Sequence, residues 1–364
     1  MEQNNNPFEM EGQKTSYSRN ARIKVFGVGG AGCNAVNRMV EENVQGVEFY
    51  ICNTDAQVLE NSICKNKLFL GQKVTKGLGA GGNPEVGKEA ALENEAEIRE
   101  LMQEADMIFI AAGMGGGTGT GAAPVFAKIA KELGCLTVGI VTKPFSFEGF
   151  KREELARQGL ERLKEFVDSL IIVSNTQLLT IIGGIPFQEA FKEADNVLRQ
   201  GVQTITDLIA VPSFINLDFA DIRAVMGGQG TALIGIGMAE GENKAAEAAS
   251  RAIHSPLLEA EISGAKSAIV NITGGSNMSI YDSNDAICHI REAAGNDLNL
   301  YYGVAVNENI KDAIIVTVIA TGFDQNDNIT PNVSSGTNYS NKNDEAVVQH
   351  DDNDSTEYFK RREY

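Results

Sequence analysis

Histidine is scarce, with three residues in 364, and basic side chains are outnumbered, with 31 Lys and Arg against 49 Asp and Glu. His254, His289 and His350 lie too far apart for metal-ligand spacing, so neither a histidine metal centre nor histidine catalysis is expected. A formal net charge of −18 excludes the broad basic face that nucleic-acid binding needs. Any polyphosphate ligand must then rely on backbone N–H groups and a metal ion. The five cysteines, Cys33, Cys52, Cys64, Cys135 and Cys288, form no CxxC pair and no disulfide framework, which fits a reducing cytosol. The first twenty residues are polar, without the apolar stretch of a secretory signal, and no apolar run reaches membrane-spanning length. The expectation is a soluble, cytoplasmic protein.

What is abundant is glycine, at 38 residues and much of it clustered, in a chain of otherwise globular balance with 43% hydrophobic and 22% charged residues. The length suffices for two domains, each with a core. Apolar runs at 23–28, 47–52, 67–70, 107–112, 136–142 and 169–174 alternate with helical stretches such as 84–104 and 124–133. That alternation predicts βαβ units and a mostly parallel sheet, a Rossmann-like α/β domain over residues 21–185. Phe187, Phe191, Ala194, Leu198, Val202, Ile205, Leu208 and Ile209 recur at three- and four-residue spacing. They predict one long central helix, 187–210, within a linking segment 186–212 and ending before Pro212. A second, smaller α/β domain is expected over 213–323, with strands at 231–238, 267–272, 300–306 and 313–320 and helices at 243–254 and 283–295. Residues 1–20 and the linker 324–355 are too polar to form a core and are expected to be disordered. Residues 356–364 bring Tyr358 and Phe359 beside Lys360, Arg361 and Arg362, the make-up of a short docking peptide.

Three glycine clusters follow strands. The first, Gly27-Val28-Gly29-Gly30-Ala31-Gly32-Cys33-Asn34, satisfies G-x-G-x-x-G, with Asp55 closing the next strand. Residues without side chains at a helix N-terminus expose N–H donors to phosphate, aided by the helix dipole. Alone, this cluster fits a nicotinamide-dependent Rossmann oxidoreductase, and equally a plain strand-to-helix turn. The second, GMGGGTGTG at 113–121, is read as a loop whose successive N–H groups converge on an anion, with threonine hydroxyls as added donors or a metal contact. A dehydrogenase has no need of a second such loop, whereas a nucleoside triphosphate offers more phosphate oxygens. The third, GLGAGGNP at 77–84, serves either as a loop before a helix starting at Pro84 or as a γ-phosphate contact. Residues 82–88 approach a P-loop, but Glu89 stands where a hydroxyl would bind magnesium, and that reading is excluded.

The segment GGGTGTG at 115–121 matches the signature of the tubulin/FtsZ GTPase family. The chain resembles that family over roughly 23–323, through GVGGAGCNAVNRM at 27–39, NTDAQ at 53–57, GLGAGGNPEVG at 77–87 and NLDFADIRAVM at 216–226. The resemblance implies a GTPase of tubulin/FtsZ fold that binds GTP and GDP. Gly30, Ala31, Gly32, Cys33 and Asn34 would wrap phosphate and approach the base, while Gly117, Thr118 and Gly119 bind the phosphates. Glu148 and Arg152 match positions at the ribose and nearby phosphate, and Asn175 and Asp195 match guanine contacts. The chemistry suits Asp195, because a carboxylate accepts from guanine N1–H and N2–H₂, a donor pair that adenine lacks. The resemblance further implies that 213–323 is a GTPase-activating domain whose Asn216, Asp218 and Asp221 reach the nucleotide of the next subunit. Asp218 and Asp221, three apart, share one face of a helical turn and are placed to orient or deprotonate the attacking water. Without the resemblance they would be read as helix-capping acids.

Head-to-tail homopolymers of a division ring at mid-cell follow from the same resemblance, as do Mg²⁺ accompanying GTP and docking of membrane-tethering and regulatory division proteins on 356–364. A tubulin-like scaffold with little hydrolysis is the remaining alternative, against which Asp218 and Asp221 argue. The chain departs from the family pattern in four places, one of them Gly183-Gly184, which shortens the approach to the long helix without an inferred consequence. Thr176 stands where aspartate is common, and the tail keeps only the aromatic and basic end of the usual docking peptide. Cys33 lies at a helix start, where a thiol pKa is lowered and reactivity raised, unless the residue is merely small enough to be tolerated there.

Overall fold

A computed structural model of the chain describes residues 21–210, 215, 217–255, 258, 262–295 and 297–323. Asn216, Pro212, the N-terminal 1–20, the expected linker and the docking peptide lie outside the described residues.

Ten strands form one sheet: β1 (Ile23–Val28), β2 (Val47–Asn53), β3 (Asn66–Phe69), β4 (Met107–Gly113), β5 (Leu136–Lys143), β6 (Ser169–Ser174), β7 (Gly230–Ala239), β8 (Ser267–Gly274), β9 (Asn299–Val306) and β10 (Ile314–Thr321). Their order is β3-β2-β1-β4-β5-β6-β7-β10-β8-β9. All neighbouring pairs are parallel except those of β10, which runs antiparallel to β7 and β8. The predicted smaller domain therefore has no separate sheet. Its strands continue the first through β6, where Ser169, Leu170 and Ile171 pair with Gly230, Thr231 and Ala232.

Strands buried on both faces read as continuous apolar runs, which is why they stood out in the sequence. All six residues of β1 and all eight of β10 are buried. Along β4 successive residues alternate between two cores, Met107 and Phe109 in one and Ile108 and Ile110 in the other.

Among the described residues twelve helices accompany the strands. The first half carries α1 (Gly29–Glu41), α2 (Ala56–Glu60), α3 (Gln72–Thr75), α4 (Pro84–Glu93), α5 (Glu95–Met102), α6 (Thr118–Glu132), α7 (Phe150–Lys164) and α8 (Asn175–Ile182). Then come α9 (Phe187–Ala210), α10 (Phe219–Met226), α11 (Lys244–Ile253) and α12 (Ile280–Ala294). α1, α9 and α10 share one core with the sheet, α4 to α7 the other, and α11 and α12 cover the sheet beyond β7.

Two expectations need correction. The single helix over 84–104 is broken at Asn94, which ends α4 and precedes α5 and whose side chain accepts from the Gly71 N–H at 2.9 Å. The helix expected from residue 124 begins instead at Thr118, with Pro124 inside it. A ring nitrogen there forfeits one hydrogen bond to the Thr120 carbonyl, and the tight fit described next holds the preceding turn helical.

Candidate functional site

Both phosphate-loop candidates turn out to be helix starts. α1 begins one residue after β1, and α6 follows β4 after the short turn 114–117. The first N–H groups of a helix have no intrahelical acceptor. Here neither N-terminus is capped by a side chain. Two sets of unpaired donors, each at the positive end of a helix dipole, thus meet at the carboxyl edge of the sheet.

The glycines of these segments divide into two kinds. A Cβ on Gly32 would collide with the Ala111 carbonyl oxygen, one on Gly121 with the Pro84 carbonyl oxygen, and one on Gly117 would lie 2.8 Å from the Ala80 Cβ. These glycines let α1 and α6 approach the sheet and α4. Gly30 and Gly116 differ, with nothing within 4 Å of an added Cβ and no left-handed backbone. Nothing in the chain itself demands glycine there. What a side chain would occupy is the floor of a cleft.

That cleft has a volume of about 250 Å³ and is lined by Gly30, Ala31, Gly113, Met114, Gly116, Gly117, Thr118, Gly119, Thr142, Pro144, Glu148, Arg152, Asn175, Phe191, Ala194 and Asp195. Of the residues expected from sequence, Gly30, Ala31, Gly117, Thr118, Gly119, Glu148, Arg152, Asn175 and Asp195 come together here. Gly32, Cys33 and Asn34 do not line it. Gly32 is spent on packing against β4 and Asn34 is exposed further along α1.

Cys33 points into the core, its Sγ 3.6 Å from the Gly27 carbonyl oxygen and 3.7 Å from that of Cys52. Burial pushes its thiol up to about 12. Of the two readings of Cys33, the small residue tolerated at a helix start stands and the reactive thiol does not, because desolvation of the thiolate outweighs the helix dipole.

The cleft has one end at the two helix starts and a polar far wall. At the first, the Thr118 and Thr54 hydroxyls lie 2.6 Å apart, and the Thr120 hydroxyl accepts from the Gly115 N–H at 2.9 Å, tying the turn to α6. Beside it Glu148, in a short 3₁₀ turn (Ser146–Glu148), accepts from the Phe145 N–H at 2.9 Å and ion-pairs with Arg152 of α7. The pair bridges a turn and a helix rather than lying along one helix. The departing Thr176 accepts from the Ser146 N–H at 2.9 Å, so it supports this turn and does not face the cleft.

At the far wall, two polar groups lack partners. The Asn175 side chain is 6% exposed, and its Oδ1 is buried with no hydrogen bond. Asp195, half-buried on α9, receives no hydrogen bond from any described residue, and desolvation pushes its carboxyl up to about 7 against the opposing pull of Arg38. Buried polar groups in native folds are almost always satisfied, so orphans facing a cleft point to a ligand that satisfies them.

Phe191 was read from sequence only as a core position. It stands one turn before Asp195 on the same helix face, edge-on to Phe145 at 5.0 Å, and forms an apolar wall of the cleft. Its spacing of four from an acidic residue was the signal available. Met114, Thr142, Pro144 and Ala194 carried none.

Other candidates lie elsewhere. Asp55 caps α2, accepting from the Gln57 N–H at 2.9 Å, and does not line the cleft, so the acid a dinucleotide site requires is missing from it. Residues 77–83 do not line it either. Ala80 and Asn83 instead lie against Gly117, and Asn83 caps α4 with Pro84 in the first turn. No group of three or more His, Cys, Asp or Glu able to hold a metal occurs among the described residues.

Asp218 and Asp221 lie at the other end of the molecule. They form a reciprocal capping box at the start of α10, Asp218 Oδ1 accepting from the Asp221 N–H at 2.8 Å and Asp221 Oδ2 from the Asp218 N–H at 3.2 Å. Each carboxylate keeps a second oxygen outside the box. α10 is anchored beneath the amino ends of the strands. Arg223 donates to the carbonyl of Asp106, which precedes β4, at 3.5 Å, and the Ser169 hydroxyl at the start of β6 donates to the Met226 carbonyl at 2.6 Å. A seven-residue strand such as β4 spans about 20 Å, so the cleft lies about one strand length from the end of the sheet on which α10 is anchored.

Residues 22–183 match the Tubulin/FtsZ family, GTPase domain, and residues 230–324 match the FtsZ family, C-terminal domain. Among solved structures, an empty FtsZ dimer from M. jannaschii is 41% identical, with a TM-score of 0.81 over 84% of this chain and 89% of that one. CetZ1 from Haloferax volcanii, a GDP-bound monomer, is 22% identical with a TM-score of 0.73 over 85% of this chain and 96% of its own, a likeness of fold alone. The same holds for CetZ2 from Haloferax volcanii, a GTPγS-bound protofilament, at 21% identity and a TM-score of 0.72 over 84% of this chain and 94% of its own.

Proposed function

The chain belongs to the tubulin/FtsZ GTPase family, and from that premise we propose that GTP occupies the cleft and is hydrolysed only when a second copy brings Asp218 and Asp221 to it. The phosphates rest on the first turns of α1 and α6, against Gly30, Ala31, Gly117, Thr118 and Gly119. Ribose lies at Glu148 and Arg152. Guanine reaches Asn175 and Asp195 beside the ring of Phe191, where its N1–H and N2–H₂ supply the donors that Asp195 lacks. With no cluster of three or more acidic, His or Cys side chains among the described residues, Mg²⁺ would be held by phosphate oxygens and water, and the Thr118 hydroxyl lining the cleft could add a protein oxygen. Magnesium supplies neutralisation of phosphate charge.

The observation that carries this reading is the placement of cleft and acids at opposite edges of one sheet. Within one subunit the acids cannot touch a bound nucleotide. A contact joining the amino edge of one copy to the carboxyl edge of the next is heterologous and does not close, so it propagates a filament. At each junction the free oxygens of Asp218 and Asp221 orient the attacking water and take its proton. Asn216 would join them from the same segment.

Residues 21–185 then act as the nucleotide-binding unit, α9 within 186–212 as the link, and 213–323 as the activating unit. Residues 356–364 serve as the docking peptide for membrane-tethering and regulatory partners at the mid-cell division site. In the test, GTP turnover per subunit rises steeply above a threshold protein concentration, read by phosphate release alongside light scattering. Constant specific activity on dilution to a monomeric preparation would defeat it.

A further inference from the structure

Arg199 is the largest fully buried side chain among the described residues, at 1% exposure, in the middle of α9. Its guanidinium lies 3.0 Å from Glu42 Oε2, and its Nε donates to Asn196 Oδ1 at 3.2 Å. Glu42 is the residue at which α1 ends. One turn earlier on each helix stand Arg38 and Asp195, and the Arg38 charge acts on the Asp195 carboxyl. The seam between α1 and α9 therefore reads positive then negative on one helix and negative then positive on the other.

A buried arginine is costly unless its partner is well placed, and its rigid fork fixes geometry where a lysine would not. Slipping α9 by one turn in either direction would bring like charges together along this seam, Glu42 against Asp195 or Arg38 against Arg199. Meanwhile α1 carries the phosphate cradle at its first turn and Glu42 at its last, and α9 carries Asp195 one turn before Arg199.

We infer that the Arg199–Glu42 pair is a positioning device for base recognition, locking the register of α9 on α1 so that Asp195 meets the guanine edge while the phosphates lie in their cradle. This rests on the proposed nucleotide site and adds to it residues that touch no nucleotide. Groups that hold a hydrogen-bonding side chain in place set specificity more than overall affinity, because a displaced acceptor loses the donor it was built to discriminate.

The test compares equilibrium binding of GDP and inosine diphosphate, which keeps N1–H but lacks the 2-amino group, to the full chain and to Glu42→Gln. Glu42 is partly exposed and glutamine is isosteric with it, which favours folding of the variant. The wild-type preference for GDP should fall by about tenfold in Glu42→Gln while inosine diphosphate binding changes about twofold or less. Glu42→Asp, which keeps the charge but withdraws it by one methylene, should fall between the two and keeps the test open should the glutamine variant unfold. An unchanged preference, or equal weakening of both nucleotides, overturns the inference. Failure of the wild type to bind either diphosphate would instead overturn the nucleotide site itself.

Discussion

The two edges of the sheet handle polar groups in opposite ways. At the carboxyl edge, the first turns of α1 and α6 have no side-chain cap, and Asn175 Oδ1 and the Asp195 carboxylate have no hydrogen-bond partner among the described residues. At the amino edge, Asp218 and Asp221 satisfy each other and the start of α10. The first arrangement is incomplete as structure and so announces a ligand. The second is complete as structure, and its chemistry becomes visible only through the distance that separates it from the cleft. A site shared between copies is thus half orphaned and half concealed.

The largest effect should come from removing the concealed half. Asp221→Ala should lower GTP turnover by at least about 100-fold, the usual scale for a lost general base, while GDP affinity stays within about twofold. Loss of its side of the capping box should cost about 1 kcal/mol of stability, read by thermal melting. A sharper version uses two inactive chains. Gly30→Glu, which puts a carboxylate where phosphate should lie, should be inactive through the cleft. Mixed with Asp221→Ala, it should restore turnover, because some junctions then pair an intact cleft with intact acids. Turnover retained by Asp221→Ala alone, or a mixture that stays silent, would break the division between the edges.

This division was only partly legible in the sequence. Strands such as 23–28 and 169–174 were plain, because burial on both faces makes them predominantly apolar. α9 was plain too, its apolar spacing unbroken for 24 residues. The helical turn from Thr118 to Gly121 was not, since glycine and threonine disfavour helix and the reason for them is a neighbour, the Pro84 carbonyl, far along the chain. Nor could local pattern reveal that β7 joins the first sheet, which depends on three residue pairs across 61 positions of sequence, as in Ser169 with Gly230. The segment NLDFADIRAVM pointed to Asp218 and Asp221 by resemblance. Only the bonds from Arg223 and Ser169 put them beneath the strands.

Proton linkage at the orphaned half gives the next effect. With its carboxyl pushed up to about 7, Asp195 in the ligand-free cleft is increasingly neutral as pH falls below that value. A protonated carboxyl loses part of its capacity to accept from guanine, so GDP affinity should fall as pH drops from 8 to 6, by up to about tenfold per unit below 7. The stability of the ligand-free fold should move the other way. The folded state holds a proton that the unfolded chain releases near its ordinary value of 3.8, so this group favours folding at low pH, and the advantage is lost as pH rises toward 7. Asp195→Asn should flatten both profiles and weaken GDP by about 10- to 100-fold, the value of a lost hydrogen bond to a charged acceptor. A wild-type affinity independent of pH over that range would remove Asp195 from base recognition.

The smallest effect separates the two kinds of glycine at the starts of α1 and α6. Gly121→Ala drives a methyl group into the Pro84 carbonyl, and overpacking of this kind costs about 1–3 kcal/mol, visible as a lower melting temperature without nucleotide. Gly30→Ala meets nothing within 4 Å and replaces glycine inside a helix, so the ligand-free protein should be unharmed or gain up to about 1 kcal/mol. Its cost should appear only with nucleotide present, as a several-fold loss of GDP affinity, because the methyl group occupies space above the N–H donors. A stabilised protein that binds worse is the behaviour of a residue kept small for a ligand rather than for the fold. If Gly30→Ala instead bound GDP as tightly as the wild type, the phosphates would have to lie over α6 alone, and the cradle would belong to one helix instead of two.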